Sequence, residues 1–221
     1  MIKTQLAILG LGSRSTLYYL EQLNKVYNVK KGGYSTCPFF LLNTDFDTIN
    51  PLLPNTSLQL DTILQSYLDQ MEALEVTEIL IPNITLHETI DRLEFQKNIL
   101  HPLPLSVLKM KEIDAKKVVI FGSLHSMQSS YIRSYLELNS IEILLPCSED
   151  MIFIDEVRKH IYNTTETKEI INKYHQLIKK YSENYPVVLG CTELSIIKPT
   201  DQINIIDMAQ LQIEAAVKNI L

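Results

Sequence analysis

Short unbroken apolar runs alternate along this chain with stretches in which apolar residues recur every three or four positions. Leu6-Ala7-Ile8-Leu9, Phe39-Phe40-Leu41-Leu42, Glu78-Ile79-Leu80-Ile81, Val118-Val119-Ile120-Phe121, Ile141–Leu145, Pro186–Gly190 and Ile203–Ile206 have the length and character of buried strands. Between them the spacing predicts helices over 15–26, 58–74, 86–98, 126–138, 150–162, 166–181 and 208–221. Asn43 to Ser57 is polar, contains Pro51 and Pro54, and reads as a long loop of the kind that often carries function. Strand and helix in alternation imply parallel sheets with right-handed crossovers.

The pattern repeats. Ile8-Leu9-Gly10 and Ile120-Phe121-Gly122 each end a strand and enter a polar turn. Ile79-Leu80-Ile81-Pro82-Asn83 is echoed 108 residues later by Val187-Val188-Leu189-Gly190-Cys191. The expected fold is therefore α/β, with two similar lobes, each a parallel sheet flanked by helices, and a cleft between them. His101-Pro102-Leu103-Pro104 marks the crossing. Residues 1–100 with 203–221 are assigned to the first lobe and 101–202 to the second.

Composition changes this picture little. The 221 residues are 46% hydrophobic and 21% charged, with a net charge of −6 and a pI near 5.4, which argues against a general nucleic-acid binder. The amino-terminal apolar run is too short for a secretory signal, and no stretch has the length of a membrane span. Cys37, Cys147 and Cys191 lie far apart without a C-x-x-C pair, the usage of a reducing cytoplasm.

Cys191 stands out among the candidate groups. It follows a glycine at a strand's carboxyl end and precedes a helix, where open α/β sheets place ligands and where a helix start favours thiolate. The position predicts a depressed pKa; a small buried hydrophobe is the competing reading. Gly10-Leu11-Gly12-Ser13-Arg14-Ser15 lacks the third glycine of the dinucleotide fingerprint, and no acidic residue ends the second strand. No P-loop is present. Backbone donors of that turn, with Ser13, Ser15 and Thr16, suit a substrate carboxylate or serve simply as a tight turn. The five histidines form no metal pattern. His87 lies four residues after Asn83, and His125 sits in the turn after Gly122, so either is a candidate proton carrier or a hydrogen-bonding residue.

These residues resemble a known family. Leu189-Gly190-Cys191-Thr192-Glu193-Leu194 is similar to the G-C-T-E signature of aspartate/glutamate racemases that use no pyridoxal phosphate. Gly10–Thr16 resembles that family's first turn, Asp45–Ile49 its short motif after the second strand, Asn83-Ile84-Thr85-Leu86-His87 its C-N-T-A-H segment, and Ile206-Asp207 the pair ahead of its last helix. The resemblance implies a two-lobed fold and two opposed thiols that remove and deliver the α-proton without a cofactor. It also implies substrate contacts from Gly12, Ser13, Thr16, Asn43, Asn83, Thr85, Ser123, Ser126, Thr192 and Glu193. A small carboxylate or amino acid is the expected partner, with no nucleic acid, membrane or metal. Dimers are frequent in the family, which keeps a homodimer open.

Asn83 stands where the family has its first thiol, and an amide does not exchange a proton as a thiol does. Ser13 replaces the proline of the first turn, and Leu124-His125-Ser126 stands in place of a T-G-T-like turn. The leading reading is a racemase-family isomerase with Cys191 on one face of the α-carbon and His87 or His125 serving the other through water. A one-thiol decarboxylase or lyase and a non-catalytic carboxylate-binding relative are the alternatives.

Overall fold

A computed structural model describes residues 5–200 and 204–221. The chain divides into two compact units. One runs from the amino terminus to His101 and includes Gln212–Leu221; the other is Pro102–Leu211.

The first unit contains strands β1 (Leu6–Gly10), β2 (Phe40–Asn43), β3 (Glu78–Leu80) and β4 (Asn98–Ile99), and helices α1 (Ser13–Lys31), α2 (Leu58–Glu72) and α3 (His87–Ile90). All strand pairs are parallel, in the order β2-β1-β3-β4. The second unit contains helix α4 (Pro102–Glu112), strand β5 (Lys117–Phe121), helices α5 (Leu124–Gln128) and α6 (Ser130–Leu138), and strand β6 (Glu142–Leu144). Then come α7 (Ser148–Asn163), α8 (Lys168–Ser182), β7 (Val187–Leu189), α9 (Thr192–Ile196) and β8 (Ile205–Asp207), and α10 (Met208–Ile220) carries the chain back to the first unit. Its sheet is again parallel, in the order β6-β5-β7-β8. The two sheets thus have one topology, and Asn83 and Cys191 each follow the third strand of their own unit.

Position in the sheet, more than apolar content, sets which strands lie inside. β1, β3 and β7 are buried throughout, whereas β2, at a sheet edge, is largely exposed. Helix α2 shows how one face is committed. Ser57 Oγ accepts from Leu60 N at 3.1 Å and caps its start, and Leu60, Leu64, Leu68 and Met71 fall on one stripe and are buried. Each such side chain contributes about 1.5–3 kcal/mol through burial.

The structure differs from the sequence reading in four places. Residues 86–98 form one short helix and then strand β4, because the intervening backbone is held by tertiary bonds. Gln65 Nε2 donates to Glu94 O at 2.9 Å, Gln96 N donates to Glu72 Oε1 at 3.0 Å, and Lys97 Nζ donates to Leu74 O at 2.6 Å. The crossing falls where it was expected, between His101 and Pro102, but it opens helix α4, which the sequence reading lacks; Pro102 and Pro104 lie in its first turn, where a missing N–H costs nothing. The helix expected over 126–138 is broken at Ser129, whose Oγ accepts from Ile132 N at 3.2 Å and caps α6.

The fourth concerns the tail. The first lobe was expected to reclaim the chain at residue 203, which lies outside the described residues. β8 instead pairs with β7, so it belongs to the second sheet. The return happens at Gln212, which is fully buried, accepts from Tyr19 Oη at 2.6 Å and donates to Leu100 O at 2.6 Å.

Candidate active site

In each unit the chain leaves the first strand for one neighbour and later returns to pair on its other side. The carboxyl ends of β1 with β3 and of β5 with β7 are therefore topological switch points, where α/β sheets form ligand sites.

In the second unit the two turns at this point touch. Gly190 N donates to Phe121 O at 2.7 Å. A Cβ on Gly122 would lie 3.1 Å from Ser126 Cβ and 3.4 Å from Gly190 O, so a side chain there would push the turns apart. Ser123 caps α5: its Oγ accepts from Ser126 N at 3.0 Å and lies 2.9 Å from Ser126 Oγ. Ser126 is buried, and His125 is partly buried in the same short helix. Cys191 has an extended backbone (φ −153°, ψ 128°) and forms the cap position of α9, with Thr192 buried behind it.

The thiol does not have the predicted depressed pKa. Burial, the nearby Glu193 carboxylate and a hydrogen bond to it push Cys191 well above the ordinary thiol value, with only the Arg158 charge and a backbone contact pulling the other way. Cys191 Sγ donates to Glu193 Oε2 at 2.9 Å. The expectation rested on a helix start, but α9 spans only 5 residues and carries an acid in its first turn. An adjacent carboxylate therefore outweighs the weak dipole of a single helical turn. The residue keeps part of its surface open. Cys37 differs, being buried with its thiol pushed to about 11 by desolvation, while Cys147 is exposed.

Two carboxylates join this cluster: Asp155, absent from the sequence reading, and Asp207, named there only as part of the Ile206-Asp207 pair. Asp155 on α7 is buried, and its Oδ1 accepts from Leu124 N at 3.3 Å and from Arg158 Nε at 3.0 Å. Its Oδ2 lies 2.6 Å from Lys159 Nζ. Burial opposes ionisation, yet the bonds from Lys159 and Arg158 hold the Asp155 carboxyl below its usual value. A signal existed, since Asp155 interrupts the buried stripe Met151, Ile154, Val157 and Ile161 of α7. Asp207 completes the support: its Oδ1 accepts from Ser195 Oγ on α9 at 2.8 Å and from Ala209 N at 3.0 Å.

In the first unit Gly12 O accepts from Thr16 N at 2.9 Å and from Ser15 Oγ at 3.0 Å, while Thr16 Oγ1 accepts from Leu11 N at 3.0 Å. These hydroxyls close the turn, and Ser13 is exposed beside them. Asn43 folds over Gly10, where a Cβ would lie 2.5 Å from its Oδ1. Asn83 and Thr85 are partly buried in the turn after β3, and Asn83 Oδ1 accepts from Leu86 N at 3.2 Å. His87 is set apart from the other candidates. It is fully buried, its ring centroid lies 4.4 Å from that of His101, and neither ring nitrogen has a hydrogen-bond partner. Desolvation and the neighbouring His101 push its pKa well below the usual histidine value, against the pull of Asp91. The imidazole is thus a neutral core group.

The chain belongs to the Asp/Glu/Hydantoin racemase family, whose pattern matches residues 8–216. No curated protein sequence matches it. Solved structures share the fold. A Yersinia pestis protein assigned as an Asp/Glu racemase superposes with a TM-score of 0.84 at 20% identity, covering 98% of this chain and 99% of its own. An aspartate racemase homologue from Pyrococcus horikoshii OT3 gives 0.84 at 19% identity with coverage of 98% and 99%. Picrophilus torridus aspartate racemase gives 0.78 at 18% identity with coverage of 98% and 93%. Among the described residues no helix is long and apolar enough to cross a membrane.

Proposed function

We propose that this protein is a cofactor-independent isomerase that moves a proton at the carbon next to a carboxylate, with Cys191 as its acid/base and Glu193 as the group that takes the thiol proton. The hydrogen bond from Cys191 Sγ to Glu193 Oε2, at 2.9 Å, carries this reading. A thiol held protonated beside a carboxylate is one proton transfer from a thiolate. That thiolate removes the α-proton and becomes the thiol again, the carbanion takes a proton from the opposite face, and the hydroxide left by that donor takes the proton that Glu193 holds. On that face the family resemblance implies a thiol where this chain has Asn83, so water is the proton source there. Aspartate, glutamate and related small carboxylates are the substrate class, in keeping with the family.

One observation favours a second reading. The resting thiol is a proton donor, and a single donor is what decarboxylation needs: carbon dioxide leaves, the carbanion takes the Cys191 proton, and water restores it. Proton NMR of amino acids and small dicarboxylates in heavy water separates the two. Exchange of the α-proton with the carbon skeleton intact supports the isomerase. Loss of a carboxyl group supports the decarboxylase. A spectrum unchanged across the whole panel, with binding present, overturns both and leaves a carboxylate-binding protein.

A further inference from the structure

We propose that Arg158 is the receptor for the substrate's carboxylate in the second unit, held in place by Asp155 through Nε so that its two terminal nitrogens are left for an end-on pair with the ligand. The inference rests on the reading of Cys191 above and names the group that would anchor the substrate beside it.

The geometry of α7 supports this. The helix packs against both α5 and α9, the elements that follow β5 and β7, so the Asp155–Arg158 pair belongs to the same switch point as Cys191. Asp155 is anchored there by Leu124 N at 3.3 Å. It grips Arg158 at Nε only, at 3.0 Å, and no described protein group lies within hydrogen-bonding distance of the terminal nitrogens. The Arg158 side chain is 26% exposed and that of Asp155 only 6%, so the anchor is inside and the fork is accessible.

Charge gives a second argument. A structural ion pair needs one cation for one carboxylate. Asp155 has two, since Lys159 Nζ lies 2.6 Å from Oδ2, with its side chain 57% exposed. Arg158 is therefore not required to neutralise Asp155. A guanidinium fixed along one edge presents two parallel N–H groups that match the oxygens of a carboxylate, which a lysine ammonium does not do. Its charge also acts on the Cys191 thiol, opposing Glu193, so a bound anion and the thiol share one field.

Calorimetric titration with malonate, paired with the pH profile of Cys191 alkylation, tests this. The native protein should bind malonate. Arg158→Gln should weaken binding on the order of 10–100-fold, the scale of a charged two-bond contact. Arg158→Lys keeps the charge, so the alkylation profile should stay near native while malonate affinity still falls by about tenfold. Lys159→Gln should bind malonate within about twofold of native. Native-like malonate affinity in both Arg158 variants overturns the proposal and leaves the isomerase reading intact. A native protein that binds neither malonate, aspartate nor glutamate overturns the two together.

Discussion

Cys191 donates its thiol proton to Glu193, two residues further along the same turn, with Sγ 2.9 Å from Oε2. The contact makes the resting thiol a weaker acid than usual and gives it a partner able to receive its proton. Alkylation of Cys191 should therefore show a midpoint above the free-thiol value of about 8.5. Glu193→Gln removes the negative charge and the group able to take the proton, leaving a neutral carbonyl acceptor, so the midpoint should fall and alkylation at pH 8 should quicken. Proton-transfer activity should fall in the same variant by on the order of 10²–10⁴-fold. A midpoint unmoved by Glu193→Gln would show that burial alone sets the thiol.

His87 sets a stability dependence on pH. Its folded pKa lies below the unfolded value of about 6.5, mainly through burial and secondly through His101, with Asp91 opposing. Below that value the unfolded chain takes up a proton that the folded chain refuses. The stability contribution is thus complete above about pH 6.5 and is lost as pH falls toward the folded pKa. His87→Leu removes this titration. Urea midpoints at pH 5 and 7.5 should lie closer together in the variant than in the native protein.

The repeated unit was legible because apolar runs recur at similar shifts, 112 residues from Ile8 to Ile120 and 108 from Ile79 to Val187, and such runs read as strands. β4 was not, since it has two residues, Asn98 and Ile99, and is set by hydrogen bonds from Gln65, Gln96 and Lys97 that join segments distant in sequence. The location of Cys191 at a strand end was legible; its acidity was not. That depends on where the Glu193 side chain turns, and a residue two positions away carries no such direction in its sequence. Asp155 was missed for a related reason: a polar residue in a helix reads as solvated until its neighbours are known.

Asp207 joins α9, β8 and α10. It accepts from Ser195 Oγ, Ala209 N and Gln210 N, and its Oδ2 lies 2.6 Å from Lys198 Nζ, with the carboxylate side chain 5% exposed. Asp207→Ala removes the cap of α10 and strands Lys198, whose own side chain is 29% exposed. A fully buried broken pair costs about 3–5 kcal/mol. The open lysine softens that part, so a loss of about 2–4 kcal/mol is expected once the cap is included. Urea unfolding reads it. Asp207→Asn, which keeps an acceptor for Ser195 and the backbone donors, should lose less.

Asn83 offers the sharpest test of the proposed chemistry. It follows β3 as Cys191 follows β7, in sheets of identical order, so the two occupy equivalent places in their units. If a missing second thiol limits proton transfer, Asn83→Cys should raise racemisation of aspartate or glutamate by on the order of 10²–10⁴-fold. The variant also loses the acceptor that Asn83 Oδ1 gives to Leu86 N at 3.2 Å, a cap worth about 1 kcal/mol, which should lower the urea midpoint slightly without unfolding the protein. Chiral chromatography of both amino acids with the native and variant proteins measures the gain. Combining Asn83→Cys with Cys191→Ala should abolish it, because one thiol serves only one face. Racemisation that survives in the double variant would remove Cys191 from the mechanism. Unchanged rates in Asn83→Cys, with the variant folded and binding substrate, would show that the first unit supplies its proton by another route.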